Sequence, residues 1–149
     1  AKNVFGAMKR NGLLVVMTEK LQVYKASSKS YHSIVGDMYV KKLSWKISND
    51  WFEKYKDIRA YEPRIIEIYN IVDNDTIYMK NLNGKNLDEF ITEDYYLQYL
   101  NIANNIYKYN KDKKIKFYHR DMQFQNFVAD KGVVHLIDPD SFRFIQWKL

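Results

Sequence analysis

The chain has 149 residues, 46% of them hydrophobic and 28% charged, with 13 tyrosines and a formal net charge of +6. That length and composition describe a folded domain with a core of its own and exclude a disordered tail, but they leave little room for a large two-lobed enzyme. Cysteine is absent, so disulfides, zinc-thiolate centres and thiol nucleophiles are excluded and any chemistry rests on oxygen and nitrogen groups.

The longest apolar run, Leu13 to Met17, falls far short of the roughly 20 residues a membrane-spanning helix requires, and no small-residue cleavage site follows it. The expectation is a soluble, cytoplasmic protein with no membrane partner. From Glu19 to Ser44, short alternating stretches separated by Ser27-Ser28-Lys29-Ser30 and by the turn pair Gly36-Asp37 predict a three-stranded meander. Asn49-Asp50 then reads as a helix N-cap, with Trp51, Tyr55 and Ile58 on one face of a helix that ends before Pro63. Ile65 to Val72 and Thr76 to Leu82, joined by Asp73-Asn74-Asp75, predict a hairpin that brings the sheet to five strands. Asn83 to Asn86 reads as a hinge, and Leu87 to Ile91 as a helical turn. In the longer helix opened by Glu93 and Asp94, the repeat of Tyr96, Leu100, Ala103 and Tyr107 predicts the core face. Beyond it, Phe127-Val128 and Val133 to Ile137 predict a second hairpin.

Basic charge, with a pI near 9.3, suits an anionic ligand such as a nucleotide, a nucleic acid or an acidic surface. Lys111, Lys113, Lys114 and Lys116 read equally well as a solvated surface. The aromatics fall on predicted core faces and form no basic-aromatic platform, which argues against a nucleic-acid partner.

Two polar clusters carry chemistry. In Tyr118-His119-Arg120-Asp121-Met122-Gln123-Phe124-Gln125-Asn126-Phe127, Asp121 and Asn126 stand five apart. Twelve residues after Asn126, beyond the predicted hairpin, stands Leu136-Ile137-Asp138-Pro139-Asp140. Taken singly, either cluster reads as a turn or cap, since Asp and Asn are common in both. Together they resemble the catalytic loop and the magnesium-binding strand end of protein kinases and their aminoglycoside- and sugar-kinase relatives, with Asp-Pro-Asp in place of Asp-Phe-Gly. The resemblance implies Asp121 as acceptor of the substrate hydroxyl proton, and Asn126, Asp138 and Asp140 as oxygen ligands for Mg2+ or Mn2+ bound with ATP.

Upstream, Ile65 to Tyr69 and Thr76 to Gly84 resemble the fourth and fifth strands and the hinge of a kinase small lobe, which implies Met79 behind the adenine and backbone groups of Asn81 and Leu82 beside it. The third strand of that lobe supplies a phosphate-binding lysine. Lys41 and Lys42 both qualify and point to opposite faces, with Lys41 preferred although Tyr39 shares its face. Its acidic partner would be Glu53 on the following helix, or Asp57 one turn later. Ser28 and Lys29 would take the place of the phosphate-covering glycines that this sequence lacks.

The resemblance thus implies an α+β, protein-kinase-like fold with a small antiparallel five-stranded N-lobe plus one helix over 1–82, and a reduced, mainly helical C-lobe over 83–149. The implied activity is ATP-dependent transfer of the γ-phosphoryl group to a hydroxyl, on a small molecule or sugar in preference to a protein. The alternative is a pseudokinase that binds nucleotide or a protein partner without turnover. Only nine residues follow Asp140, with no counterpart of the activation segment and peptide platform. Exposed Phe142, Phe144, Ile145 and Trp147 would then favour a homodimer or a partner protein that completes the lobe.

Overall fold

The alternating apolar residues between 22 and 42 need a second strand on either side before they bury anything, and they find it in a sheet. A computed structural model describes the backbone at residues 7–10, 13–16, 22–27 and 30–146, and the side chains at 33–34 and 36–146. The fold is α+β, with mainly antiparallel strands and two α-helices among the described residues. None of those helices is long and apolar enough to cross a membrane. The chain divides into two compact units, one of residues 1–47 and 68–81, the other of residues 48–67 and 82–149. This is not the expected break at 82/83: the helix after the meander, and Pro63 to Glu67 behind it, belong to the second unit.

In the first unit Leu13 to Val16 of the apolar run supply a strand. β1 (Ala7–Arg10) and β2 (Leu13–Val16) pair as an antiparallel hairpin. β3 (Gln22–Ser27), β4 (Ser30–Val35), β5 (Met38–Lys42), β6 (Ile68–Val72) and β7 (Thr76–Lys80) form the five-stranded antiparallel sheet in the order β3-β4-β5-β7-β6. Gly36, at φ 61°, makes the β4–β5 turn. In the β6–β7 turn Asp73 and Asn74 both take left-handed φ, at 55° and 58°, a conformation that short polar side chains tolerate and that matches the twist of a tight hairpin. The hairpin is shorter than the sequence suggested. Ile65, Ile66 and Glu67 lie outside β6, and Ile65 and Ile66 instead meet Leu136 in the second unit, where Ile66 N–H donates to Leu136 O at 3.0 Å.

The second unit begins with α1 (Asn49–Tyr61). Its cap is Ser48, whose Oγ accepts from Trp51 N–H at 3.1 Å, so Asn49 and Asp50 lie in the first turn and not before it. Trp51, Tyr55 and Ile58 are buried, as their spacing predicts. Trp51 Nε1–H donates to Phe142 O at 2.8 Å, and the Trp51 and Tyr55 rings stack 5.1 Å apart. After β8 (Lys85–Asn86) comes α2 (Glu93–Lys113), capped by Thr92 and closed by Lys114 in the left-handed region at φ 56°. β9 (Phe117–His119), β10 (Phe127–Asp130), β11 (Val133–Leu136) and β12 (Phe142–Phe144) complete the unit as a β11-β10-β8 sheet and a β12-β9 pair. The expected hinge is therefore half strand. A Cβ on Gly84 would sit 2.1 Å from Ala129 O, so the approach to β8 admits no side chain there.

Two sequence expectations about packing are corrected. The buried face of α2 is Ile102, Ile106, Tyr109 and Asn110, whereas Tyr96, Leu100 and Tyr107 are exposed and Ala103 is half-buried. Apolar residues occupy more than one face of α2, so periodicity alone does not choose among them. The choice follows Asn110, which accepts from Phe117 N–H at 2.5 Å and donates to Phe117 O at 2.8 Å, locking that side of the helix onto β9. The second correction concerns the C-terminal aromatics: Phe142 is fully buried and stacked on Phe117 at 5.3 Å, Ile145 is half-buried, and Phe144 is exposed. Trp147 lies outside the described residues.

Candidate active site

The second unit gathers the two polar clusters. β9 and β12 pair in the register His119↔Phe142, which carries the loop after His119 past the turn that begins at Asp138. Arg120 N–H donates to Ser141 O at 2.9 Å and Ile137 N–H to Asn126 O at 2.9 Å, so each end of the Arg120-to-Asn126 loop is fastened to the Ile137-to-Ser141 segment. His119 fastens it a third time. Its Nδ1 accepts from Asp121 N–H at 3.1 Å, which assigns the proton to Nε2, and Nε2–H donates to Asp138 O at 3.0 Å with Ile137 O at 3.3 Å.

Burial holds the His119 pKa below its ordinary value, although the Asp138 and Asp121 charges and the two carbonyls pull the other way. A depressed histidine contributes stability that is present above about pH 6.5, the unfolded value, and is lost as pH falls through the folded value. The bridge therefore holds best in its neutral form.

Within this frame the side chains divide their work. Asn126 donates its amide N–H to Asp121 O at 2.8 Å, which orients its amide oxygen as the remaining, lone-pair-bearing end. Asp121 thus has both backbone groups held, yet its half-buried carboxylate enters no hydrogen bond or ion pair among the described residues. This is not how a loop-capping aspartate behaves, because such a residue spends its carboxylate on backbone N–H groups. Asp138 sits in the left-handed region at φ 63°, ψ 60°, a conformation that Asp, with its short polar side chain, adopts more readily than most residues. Its Oδ2 accepts from Ser141 Oγ at 2.5 Å.

Among the described residues no three His, Cys, Asp or Glu side chains lie close enough to hold a metal ion by themselves. Asn126 and Asp138, one bearing an amide oxygen and one a carboxylate, lie on segments joined by the Ile137 N–H to Asn126 O bond. Asp140 is half-buried, and its charge opposes without reversing the burial that lowers the Arg143 pKa. Glu53 is exposed on α1, as is Asp57, which accepts from Tyr109 OH at 3.1 Å.

The candidate nucleotide-side residues of the first unit are described separately. Lys42 Nζ lies 2.7 Å from Asp75 Oδ2, with Lys46 Nζ at 3.1 Å. Burial alone would raise the Asp75 carboxyl, but hydrogen bonds from Lys42, Thr76 and Lys46 outweigh it and hold the group below its usual range. Lys42 therefore has a structural task. The pairings Tyr39↔Met79 and Lys41↔Ile77 put Lys41 on the same sheet face as buried Met79, together with half-buried Tyr39. Asn81 N–H is already donated to Asp37 O at 2.8 Å, which leaves its carbonyl as the group to offer a base. Leu82 is half-buried at the start of the next segment, and Ser28 and Lys29 lie outside the described residues.

Lys42→Ala is expected to destabilise the protein by about 1–3 kcal/mol, since it leaves Asp75 buried with one cation fewer. Lys41→Ala should weaken nucleotide binding more than Lys42→Ala does. Thermal melts with and without nucleotide check both arms, and the reverse order would move the phosphate role to Lys42.

Two contributors escaped sequence reasoning. Ser141 gave no signal beyond standing three residues after Asp138. Tyr99 on α2 holds the loop from behind through its OH, which donates to Met122 O at 2.9 Å, and only the tertiary fold brings those residues together. No protein-family model matches this chain, and no curated protein sequence matches it, so the functional reading rests on the residues and geometry above.

Proposed function

We propose that this protein has a protein-kinase-like fold and is an ATP-dependent phosphotransferase that moves the γ-phosphoryl group to a hydroxyl, on a small molecule or sugar in preference to a protein. The observation that carries this reading is the half-buried Asp121 carboxylate, which has no hydrogen bond or ion pair among the described residues, on a loop whose backbone is held by His119 and Asn126.

In the proposed reaction the acceptor oxygen attacks the γ-phosphorus, the bond from that phosphorus to the bridging oxygen breaks, ADP leaves, and the acceptor proton passes to Asp121. Asn126 and Asp138 are the residues that would hold magnesium, with Asp140 as a further oxygen donor. The ion would neutralise charge on the β- and γ-phosphates. His119 keeps Asp121 and Asp138 in register from behind. Lys41 is the lysine assigned to the α- and β-phosphates, and Met79 and the Asn81 carbonyl are assigned to the base.

The test pairs binding with turnover. Magnesium and a non-hydrolysable ATP analogue at 100-fold excess over Kd should stabilise the chain by about 2.7 kcal/mol, raising the midpoint by roughly 5–10 °C at this size, and neither alone should do so. Labelled γ-phosphoryl should then appear on a member of a panel of sugars and amino alcohols. Binding without transfer or ATP hydrolysis would make the protein a nucleotide-binding pseudokinase, and absence of metal-dependent binding would remove the reading altogether.

A further inference from the structure

The solvent side of α2 carries an apolar stripe that is about half exposed, with the Tyr96 ring against those of Tyr99 and Phe124. Tyr96, Leu100 and Tyr107 are 44%, 43% and 56% exposed, with half-buried Ala103 between them. At 3.6 residues per turn these four fall within about 60° of the helix circumference and run along it for about three turns. Isolated exposed apolar residues are ordinary on a protein surface, whereas several aligned on one helix face are the pattern a docking surface needs.

The spacing identifies what fits it. Steps of four, three and four residues are those of a coiled-coil seam, and they are symmetric about the point between Asn101 and Ile102. A second α2 laid antiparallel therefore matches Tyr96 with Tyr107 and Leu100 with Ala103, a large side chain against a small one at the centre, where the helices must approach most closely. Charge selects the same direction. Exposed Glu93 continues the line at the N-terminal end and exposed Lys111 continues it at the C-terminal end. Antiparallel pairing sets each Glu93 beside the other copy's Lys111, twice by symmetry, and opposes the helix dipoles, whereas parallel pairing brings like charges together.

We propose that α2 is the seam of a two-fold antiparallel homodimer of this chain. This interface is independent of the phosphotransfer reading and of the C-terminal aromatics, whose most central member, Phe142, is buried within the unit.

Sedimentation equilibrium of the full chain over a micromolar concentration series tests it, with thermal melts confirming that each surface variant folds. The unmodified chain should dimerise, and Leu100→Asp should abolish the dimer. Glu93→Lys and Lys111→Glu should each raise Kd by about tenfold or more, and the double reversal should return it to within about threefold of the original because the pairs are re-formed with opposite sign. A chain monomeric at every concentration would overturn the proposal. So would a dimer indifferent to Leu100→Asp, or a double reversal no tighter than either single one.

Discussion

Asp121→Asn is expected to lower phosphoryl transfer by about 10²- to 10⁴-fold, the usual contribution of a general base, while leaving magnesium-nucleotide affinity nearly unchanged. The expectation follows from what the carboxylate does not do. Its backbone N–H is held by His119 and its carbonyl by Asn126, and no hydrogen bond or ion pair among the described residues uses the side chain. An amide of the same shape therefore fits without disturbing the loop, and the thermal midpoint should stay put. The decisive measurement is a pair made on one preparation: the midpoint shift with the magnesium-ATP analogue, and the transfer rate. A mutant that loses stability and nucleotide binding together would show that Asp121 caps the loop, and one with full activity would take it out of the mechanism.

Asp138→Asn should separate the same two quantities in the opposite sense. Asn is among the residues that accept the left-handed backbone at this position, and its amide oxygen can still accept from Ser141 Oγ, so the fold should survive. What disappears is the formal charge that the proposed function assigns to the metal. Metal-dependent nucleotide affinity should fall by more than the roughly 10- to 100-fold that loss of an outer-shell partner already costs. Calorimetric titration with magnesium and the analogue reads this directly, and affinity equal to that of the unmodified chain would mean that Asp138 is not a ligand.

The meander, the two hairpins and the two described α-helices are legible from local pattern, because turn residues and helix periods act over a few positions. Gly36-Asp37 and Asp73-Asn74 end strands for conformational reasons that need no neighbour, and Trp51, Tyr55 and Ile58 share a face by geometry alone. The spacing of Asp121, Asn126 and Asp138 is likewise a property of the chain. The tertiary structure decided what depends on a distant partner. It chose the face of α2 that is buried, since Asn110 hydrogen-bonds to Phe117, and it moved Ile65 and Ile66 from β6 to the neighbourhood of Leu136. It assigned Lys42 to Asp75, 33 residues away, and Tyr99 to Met122, 23 residues away. It also left the Asp121 carboxylate without a hydrogen bond or ion pair among the described residues, which no local pattern contains. A side chain's burial and hydrogen-bond partners are long-range quantities, settled by which elements pack together, whereas turns and periods are settled by the residues themselves.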